Sequence, residues 1–152
     1  MNLELKIPPA AVMLFFMVLM YFISSVFPSL NIDFMFQMFL SIETAVSGFV
    51  LIVAASYVFN EKGTSINPMK PESASSLVTN GIYKFTRNPM YLGIAVILFA
   101  WLIFLGNVLN IVNIILFILY MNRYQIIPEE RALEKKFGDD YLSYKTKVKR
   151  WL

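Results

Sequence analysis

The sequence predicts an all-α integral membrane protein with four transmembrane helices and additional cytoplasmic C-terminal helices. The prediction depends on the composition, the apolar runs and the placement of charge. Of the 152 residues, 58% are hydrophobic and only 15% are charged, whereas soluble domains have about 45–50% apolar and about 25% charged residues. Such a chain cannot cover a soluble globule with polar side chains. We therefore treat residues 1–152 as a single membrane domain without a separate soluble catalytic domain.

The first two apolar runs predict two separate spans. The first covers about residues 10–27, which matches one bilayer thickness, and Pro8 and Pro9 precede it, where proline suits a first helical turn. The second covers about residues 34–59 and is long enough to cross with a tilt. An ionised carboxylate near the bilayer centre costs roughly 2.5–3.5 kcal/mol or more. Glu43 in the second run is therefore a candidate for lining a substrate cavity or for hydrogen bonding between helices.

Two shorter runs predict a helical hairpin. They cover about residues 90–105 and 108–127 and are separated by Gly106 and Asn107. A turn this short predicts that spans three and four are antiparallel neighbours. Before them, residues 60–89 combine proline, glycine and mixed charge, which predicts a connector that is at least partly ordered.

Residues 128–152 predict two cytoplasmic helices. Pro128 begins the first, with two acidic residues in its positive first turn, and Gly138 ends it. The second has apolar side chains at helical spacing between lysines, a pattern typical of a helix on a membrane surface. Those side chains are Tyr141, Tyr144, Val148 and Trp151.

The basic residues predict the orientation. Twelve lie before the first span, between spans two and three, or after the fourth, and Arg123 lies at the cytoplasmic end of the fourth. The positive-inside rule places these segments in the cytoplasm. We therefore expect an integral protein of a bacterial inner membrane with both termini cytoplasmic. Because the charges lie beside the membrane, they favour the lipid bilayer as a partner and argue against nucleic acid.

The residue types that are missing limit the chemistry. The sequence contains no cysteine and no histidine, which excludes disulfides, thiolate nucleophiles, histidine bases and most zinc, haem and iron–sulfur sites. We expect no metal. Any reaction must use carboxylates, arginine, lysine, tyrosine, asparagine, backbone groups or a bound cofactor.

The mouth of span three is the first candidate site. Pro89 keeps Asn88 out of the α region, so extended backbone with free amide groups meets a helix start, where a ligand can bind. An interfacial belt is the alternative, with Tyr83 and Tyr91 at the headgroup level and a snorkelling Arg87. Composition alone favours the belt.

The cytoplasmic end of span four is the second candidate site. Glu129 and Glu130 could bind an ammonium group while Arg123 binds a carboxylate, which together would hold a zwitterion. Alternatively, the acids stabilise the helix dipole beside a snorkelling arginine, each effect contributing about 0.3–1 kcal/mol. The spacing leaves both interpretations open.

Two motifs in residues 63–152 resemble the isoprenylcysteine carboxyl methyltransferase and phospholipid methyltransferase family. The first motif comprises Leu77-Val78-Thr79-Asn80-Gly81-Ile82-Tyr83 and Thr86-Arg87-Asn88-Pro89-Met90-Tyr91-Leu92-Gly93. The second comprises Pro128-Glu129-Glu130, Leu133, Phe137-Gly138, Tyr141, Tyr144, Val148 and Arg150-Trp151. Many family members have histidine where this chain has Asn88, and asparagine can donate and accept a hydrogen bond but cannot become cationic.

The resemblance implies S-adenosylmethionine as methyl donor, no metal, and a tunnel that admits a lipophilic or small amphipathic acceptor from the side. The acceptor atom would belong to a carboxylate, an amine or a thiol. Arg123 and Glu129 would be the catalytic residues. The implied cofactor site consists of Tyr83, Arg87, Asn88, Pro89, Tyr91, Gly93, Glu129 and Glu130.

Two other functions stay open at this point. An NADPH-dependent sterol-type membrane reductase has a similar Arg-x-Pro-x-Tyr-x-Gly segment, although the short chain and the Glu129-Glu130 pair favour the methyltransferases. A non-catalytic polytopic scaffold or carrier of the same ancestry is the third possibility.

Overall fold

The structure is a computed structural model that describes residues 3–64 and 67–152. Residues 65 and 66 of the predicted connector, like residues 1 and 2, lie outside the described residues. The described part of the chain is helical and contains no β-strand, which confirms the all-α class. Its α-helices are α1 (Pro9–Val26), α2 (Gln37–Glu61), α3 (Pro89–Leu105), α4 (Asn110–Met121), α5 (Ile127–Phe137) and α6 (Asp139–Lys147).

Three helical stretches are long and apolar enough to cross a membrane. They are α1, α2 and the continuous stretch Asn110–Phe137. The apolar helix α3, with 17 residues, is one residue shorter than α1. The count of four spans therefore stays a prediction. α2 begins at Gln37, later than the start of the predicted run at residue 34, because Phe36 adopts a left-handed conformation (φ 67°) that interrupts a helix.

A π-helical turn, Asn122–Ile126, joins α4 directly to α5. Such turns insert an extra residue into a helix. Pro128 has no N–H to donate to the carbonyl of Tyr124, four residues earlier. The N–H of Leu5 donates to that carbonyl at 3.0 Å, which attaches the N-terminal segment to the α4–α5 junction.

The turn between α3 and α4 is held by a buried asparagine. Gly106 ends α3 in the left-handed conformation (φ 67°) that favours glycine. The Asn107 side chain is fully buried and donates to the Phe27 carbonyl at 3.0 Å and to Asn31 Oδ1 at 2.6 Å. The predicted turn dipeptide therefore also fixes the end of α1 against the hairpin.

Glycine brings α2 and α3 into backbone contact. A Cβ atom added to Gly93 would lie 2.6 Å from the Gly48 carbonyl oxygen, and one added to Gly48 would lie 2.8 Å from the Gly93 carbonyl oxygen. Small residues at a helix crossing allow this close approach in membranes. α1, α3 and α4 surround an apolar core in which Phe16, Met20, Leu98, Phe117 and Met121 are buried.

We expect Gly93→Ala to destabilise the bundle by about 1–3 kcal/mol, because the added methyl group must push two backbones apart. The free energy of unfolding in detergent measures this loss. Ser47→Ala is the control on α2, since the exposed Ser47 hydroxyl bonds to the Glu43 carbonyl of its own helix. A Gly93→Ala protein with unchanged stability but weaker cofactor binding would instead assign Gly93 to the cofactor site.

Candidate functional site

A cavity of about 400 Å³ lies where α3 and α5 begin. This volume falls within the roughly 300–1,000 Å³ range of small-molecule sites. Its walls come from the start of α1, the connector, α2, α3, α5 and α6, and they are mostly apolar. The polar or charged residues that line it are Asn67, Ser76, Tyr83, Arg87, Asn88, Tyr91, Glu129, Glu130, Tyr141 and Tyr144.

The structure brings the two predicted sites together in this cavity. The α3–α4 hairpin returns the chain to the end of the bundle at which α3 began, so the mouth of α3 faces the first turn of α5. Most of the cofactor-binding residues predicted from the sequence therefore line a single cavity. They are Tyr83, Arg87, Asn88, Tyr91, Glu129 and Glu130.

Glu129 faces the cavity with hydrogen-bond donors around it but without a cation. The Tyr91 hydroxyl donates to Glu129 Oε1, and Gln125 Nε2 donates to the same oxygen at 2.5 Å. No arginine or lysine within the described residues forms an ion pair with Glu129. A carboxylate removed from water is stabilised by a positive partner, so this group can attract a cationic ligand.

Glu130 has the opposite surroundings and is fully paired. Its Oε1 lies 2.7 Å from Arg87 Nη2 and 3.0 Å from Arg150 Nε, and its Oε2 lies 2.7 Å from Arg150 Nη2. Arg87 also donates through Nη1 to the carbonyls of Lys145 and Val148, at 2.9 and 2.8 Å. These bonds attach the C-terminal segment to the start of α3, which indicates a structural role for Glu130.

Two buried polar atoms on cavity-lining residues have no hydrogen-bond partner among the described residues. They are Ser76 Oγ and Arg87 Nε. Buried polar atoms are satisfied in the great majority of native structures. A ligand with hydrogen-bonding groups, bound in this cavity, could supply the missing partners.

The aromatic side chains of α6 close the cavity. Tyr141 and Tyr144 are buried, and the Tyr144 hydroxyl donates to the Tyr83 carbonyl at 2.7 Å. Burial raises the pKa of the Tyr83, Tyr141 and Tyr144 hydroxyls well above their ordinary value, so all three stay protonated. The expectation that this face of α6 lies on the membrane surface was wrong, since the same spacing serves an inward-facing helix.

The Asn88 side chain holds the C-terminal segment. Its Nδ2 donates to the Arg150 carbonyl at 2.9 Å, and the Thr86 hydroxyl donates to the same oxygen at 3.2 Å. Although Asn88 precedes α3, its side chain makes no capping hydrogen bond to that helix. The amide thus connects the cavity wall to the end of the chain.

We expect Asn88→Asp to cost about 1–3 kcal/mol of stability, because the new carboxylate faces the Arg150 carbonyl where a donor is needed. Amide hydrogen exchange of residues 148–152 should become faster. Asn60→Asp, at an exposed site near the end of α2, is the matched control and should change stability by no more than about 0.5 kcal/mol. Stability equal to wild type in Asn88→Asp would support a helix cap instead.

Four residues predicted for the site lie elsewhere. Arg123 is 60% exposed in its side chain, and its Nη1 pairs with Glu4 Oε1 at 2.8 Å. Glu43 is exposed on α2, Pro89 occupies the first turn of α3, and Gly93 faces Gly48. None of the four is among the cavity-lining residues. Arg87 therefore takes the place beside Glu130 that the spacing suggested for Arg123.

Three polar residues at the site were missed in the sequence. Arg150 stands in the second motif, but Glu130 lies 20 residues earlier, so no local pattern indicates that the two pair. Ser76 stands in the connector, outside both motifs. Gln125 precedes Glu129 by four residues, a spacing at which side chains on a helix meet. That spacing is the one feature of the sequence that could have pointed to Gln125.

The chain matches the model of the phospholipid methyltransferase family over residues 36–140. It is 32% identical over 130 residues to the protein-S-isoprenylcysteine O-methyltransferase of Schizosaccharomyces pombe, an alignment with 80% of this chain and 52% of that protein. The chain thus spans about half the length of that relative. It is also 54% identical over 63 residues to an uncharacterized protein of Haemophilus influenzae, covering 41% of this chain and all of that protein. No solved structure matches the chain.

Proposed function

The chain belongs to the phospholipid methyltransferase family, and on this premise we propose that it transfers a methyl group from S-adenosylmethionine to a lipophilic or small amphipathic acceptor. The observation that supports this proposal most directly is Glu129. Its carboxylate faces a mostly apolar cavity and has no cationic partner among the described residues, so it can attract a positively charged ligand.

The residues present fit S-adenosylmethionine. Bound there, it supplies an electrophilic methyl group on a positively charged sulfur. Glu129 would hold its positive charge, and the unpartnered Ser76 Oγ and Arg87 Nε offer hydrogen bonds to its polar groups. Asn88 and the Tyr91 hydroxyl lie on the same wall.

The chain's own residues contribute positioning and electrostatics. Methyl transfer from a sulfonium is an in-line displacement, and a cavity that excludes water strengthens the interaction of a fixed carboxylate with the reacting charge. Tyr91 and Gln125 hold Glu129 in one orientation. The absence of histidine and cysteine from the sequence is therefore compatible with this reaction.

The cavity wall favours an acceptor with an apolar part. Apolar side chains from three helices line it next to the bundle, including Ala10 of α1, Ile52 of α2 and Ile94 of α3. Because these helices face the lipid, an acceptor would enter from the bilayer. The basic residues of the adjoining connector support a location on the cytoplasmic side.

Among the three acceptor classes, the charges favour an amine. Arg123, expected from the sequence to bind a carboxylate, lies outside the cavity, and Arg87 is bound to Glu130. A neutral amine would become a positively charged ammonium on accepting the methyl group, and Glu129 could stabilise that charge or accept the proton that the nitrogen then releases. A carboxylate acceptor would instead be repelled by Glu129.

Binding of radiolabelled S-adenosylmethionine to the purified protein in detergent tests the proposal. We expect saturable binding that excess NADPH does not displace. Binding of NADPH without S-adenosylmethionine would support the reductase, and binding of neither would support a scaffold or carrier. Methylation of a phosphatidylethanolamine vesicle compared with a prenylated thiol and a prenylated carboxylate then distinguishes the acceptor classes.

A further inference from the structure

Gln125 occupies an unusual position behind the cavity. It lies on the π-helical turn between α4 and α5 and is only 2% exposed. π-helical turns occur frequently at functional sites because the extra residue redirects side chains. Gln125 is not among the cavity-lining residues, but its amide contacts three residues that are, namely Pro68, Tyr91 and Glu129.

The two hydrogens of the Gln125 amide have two acceptors. Nε2 lies 2.7 Å from the Pro68 carbonyl oxygen and 2.5 Å from Glu129 Oε1. An amide nitrogen has two donors and no acceptor, so these two short contacts use its full capacity. The Tyr91 hydroxyl oxygen, at 3.4 Å, is a weaker third neighbour. The opposite orientation of the amide would place its oxygen against a carbonyl and a carboxylate, which is repulsive.

The Pro68 carbonyl belongs to the connector wall, which we define as the cavity-lining residues Asn67, Pro68, Pro71, Ala74, Ser76 and Leu77. A second bond fixes this segment from outside: Lys136 Nζ donates to the Glu72 carbonyl at 2.6 Å. That bond is exposed, whereas the Gln125 bond is buried beside Glu129. Gln125 thus connects the connector wall, which is a loop, to the Glu129 carboxylate on α5.

We propose that Gln125 is a positioning residue for methyl transfer, whose amide holds the Glu129 carboxylate and the connector wall in one arrangement. Cofactor binding and closure of the connector wall are thereby coupled. This inference depends on the proposed function, since Glu129 is the group that would face the cofactor's positive charge. Without the amide, Glu129 loses one of its two donors and the connector wall loses its buried attachment.

The test compares Gln125→Met, which removes both donors at similar length, with the wild-type protein in detergent. We expect the affinity for S-adenosylmethionine to fall roughly tenfold, as the loss of one buried hydrogen bond to a charged group predicts. Amide exchange of residues 67–77 should become faster, and S-adenosylmethionine should no longer slow it. Gln125→Asn is the second variant, in case Gln125→Met folds poorly. Its side chain keeps an amide but is too short to reach both acceptors, so it should show the same loss of affinity.

Lys136→Met is the matched control. It removes the exposed attachment of the connector without touching Glu129, and it should change affinity by less than about twofold. A double-mutant cycle with Glu129→Gln adds a readout that a merely structural role would not affect. If Gln125 acts in part through Glu129, the double variant should lose less affinity than the sum of the two single losses, whereas additive losses would overturn the proposal.

The exchange measurement separates this proposal from the proposed function. If the wild-type protein fails to bind S-adenosylmethionine, the proposed function is wrong. The attachment of the connector wall is still tested by ligand-free exchange. Unchanged exchange of residues 67–77 in both Gln125 variants would overturn the positioning role whatever the cofactor is.

Discussion

Glu130→Gln should destabilise the protein by about 3 kcal/mol, the largest stability loss that we expect from a single substitution at this site. Removing one partner of a buried ion pair costs about 3–5 kcal/mol, and the 32% exposure of the Arg150 side chain places the effect at the lower end. Arg87, only 9% exposed in its side chain, would keep its charge without a carboxylate. Denaturant unfolding in detergent measures the loss.

Glu134→Gln is the control for this prediction. Glu134 pairs with Lys145 at 3.2 Å, but the two side chains are 41% and 37% exposed. Exposed pairs contribute about 0–1 kcal/mol, so this variant should remain close to wild type. Equal stability of the Glu130→Gln and Glu134→Gln proteins would show that the Arg87–Glu130–Arg150 cluster does not support the fold.

Glu129→Gln should weaken S-adenosylmethionine binding roughly tenfold to a hundredfold, because a charged hydrogen bond contributes about 1.5–3 kcal/mol. Glutamine keeps the oxygen that accepts from Tyr91 and Gln125 but removes the negative charge. Stability should therefore change little, in contrast to Glu130→Gln. Equilibrium binding and unfolding measured on the same preparation distinguish the two adjacent residues.

Arg123→Gln provides the comparison for cofactor binding. The sequence suggests Arg123 as a catalytic residue, yet its guanidinium lies outside the cavity beside Glu4. We expect its substitution to leave affinity within about twofold of wild type, as for other exposed pairs. A loss in Arg123→Gln as large as that in Glu129→Gln would contradict the site described above.

Much of the site could be predicted because two short motifs lie at helix starts. Proline at residue 89 and at residue 128 marks those starts in the sequence, and the Gly106–Asn107 turn predicts that the intervening helices return to the same end of the bundle. Tyr91 and Glu129 therefore meet as the motifs suggest. Local signals of this kind depend on backbone conformation alone.

The partners of the charged residues could not be predicted. Spacing grouped Arg123 with Glu129 and Glu130, but the π-helical turn redirects the side chains between them. Arg87 and Arg150 reach Glu130 from segments that are distant in the chain. Which arginine pairs with which carboxylate depends on the direction of the side chains after packing. The periodicity of the sequence does not indicate that direction.

By itself, the sequence determined the all-helical class, the family and the limits of the chemistry, because these depend on composition, apolar length and local motifs. Tertiary structure alone decided that the two adjacent carboxylates differ. Glu130 is neutralised by two arginines that hold the chain end, while Glu129 faces the cavity without a cation among the described residues. The physical reason is that neighbours on a helix point about 100° apart, so one residue can enter a packed interface while the next lines a cavity.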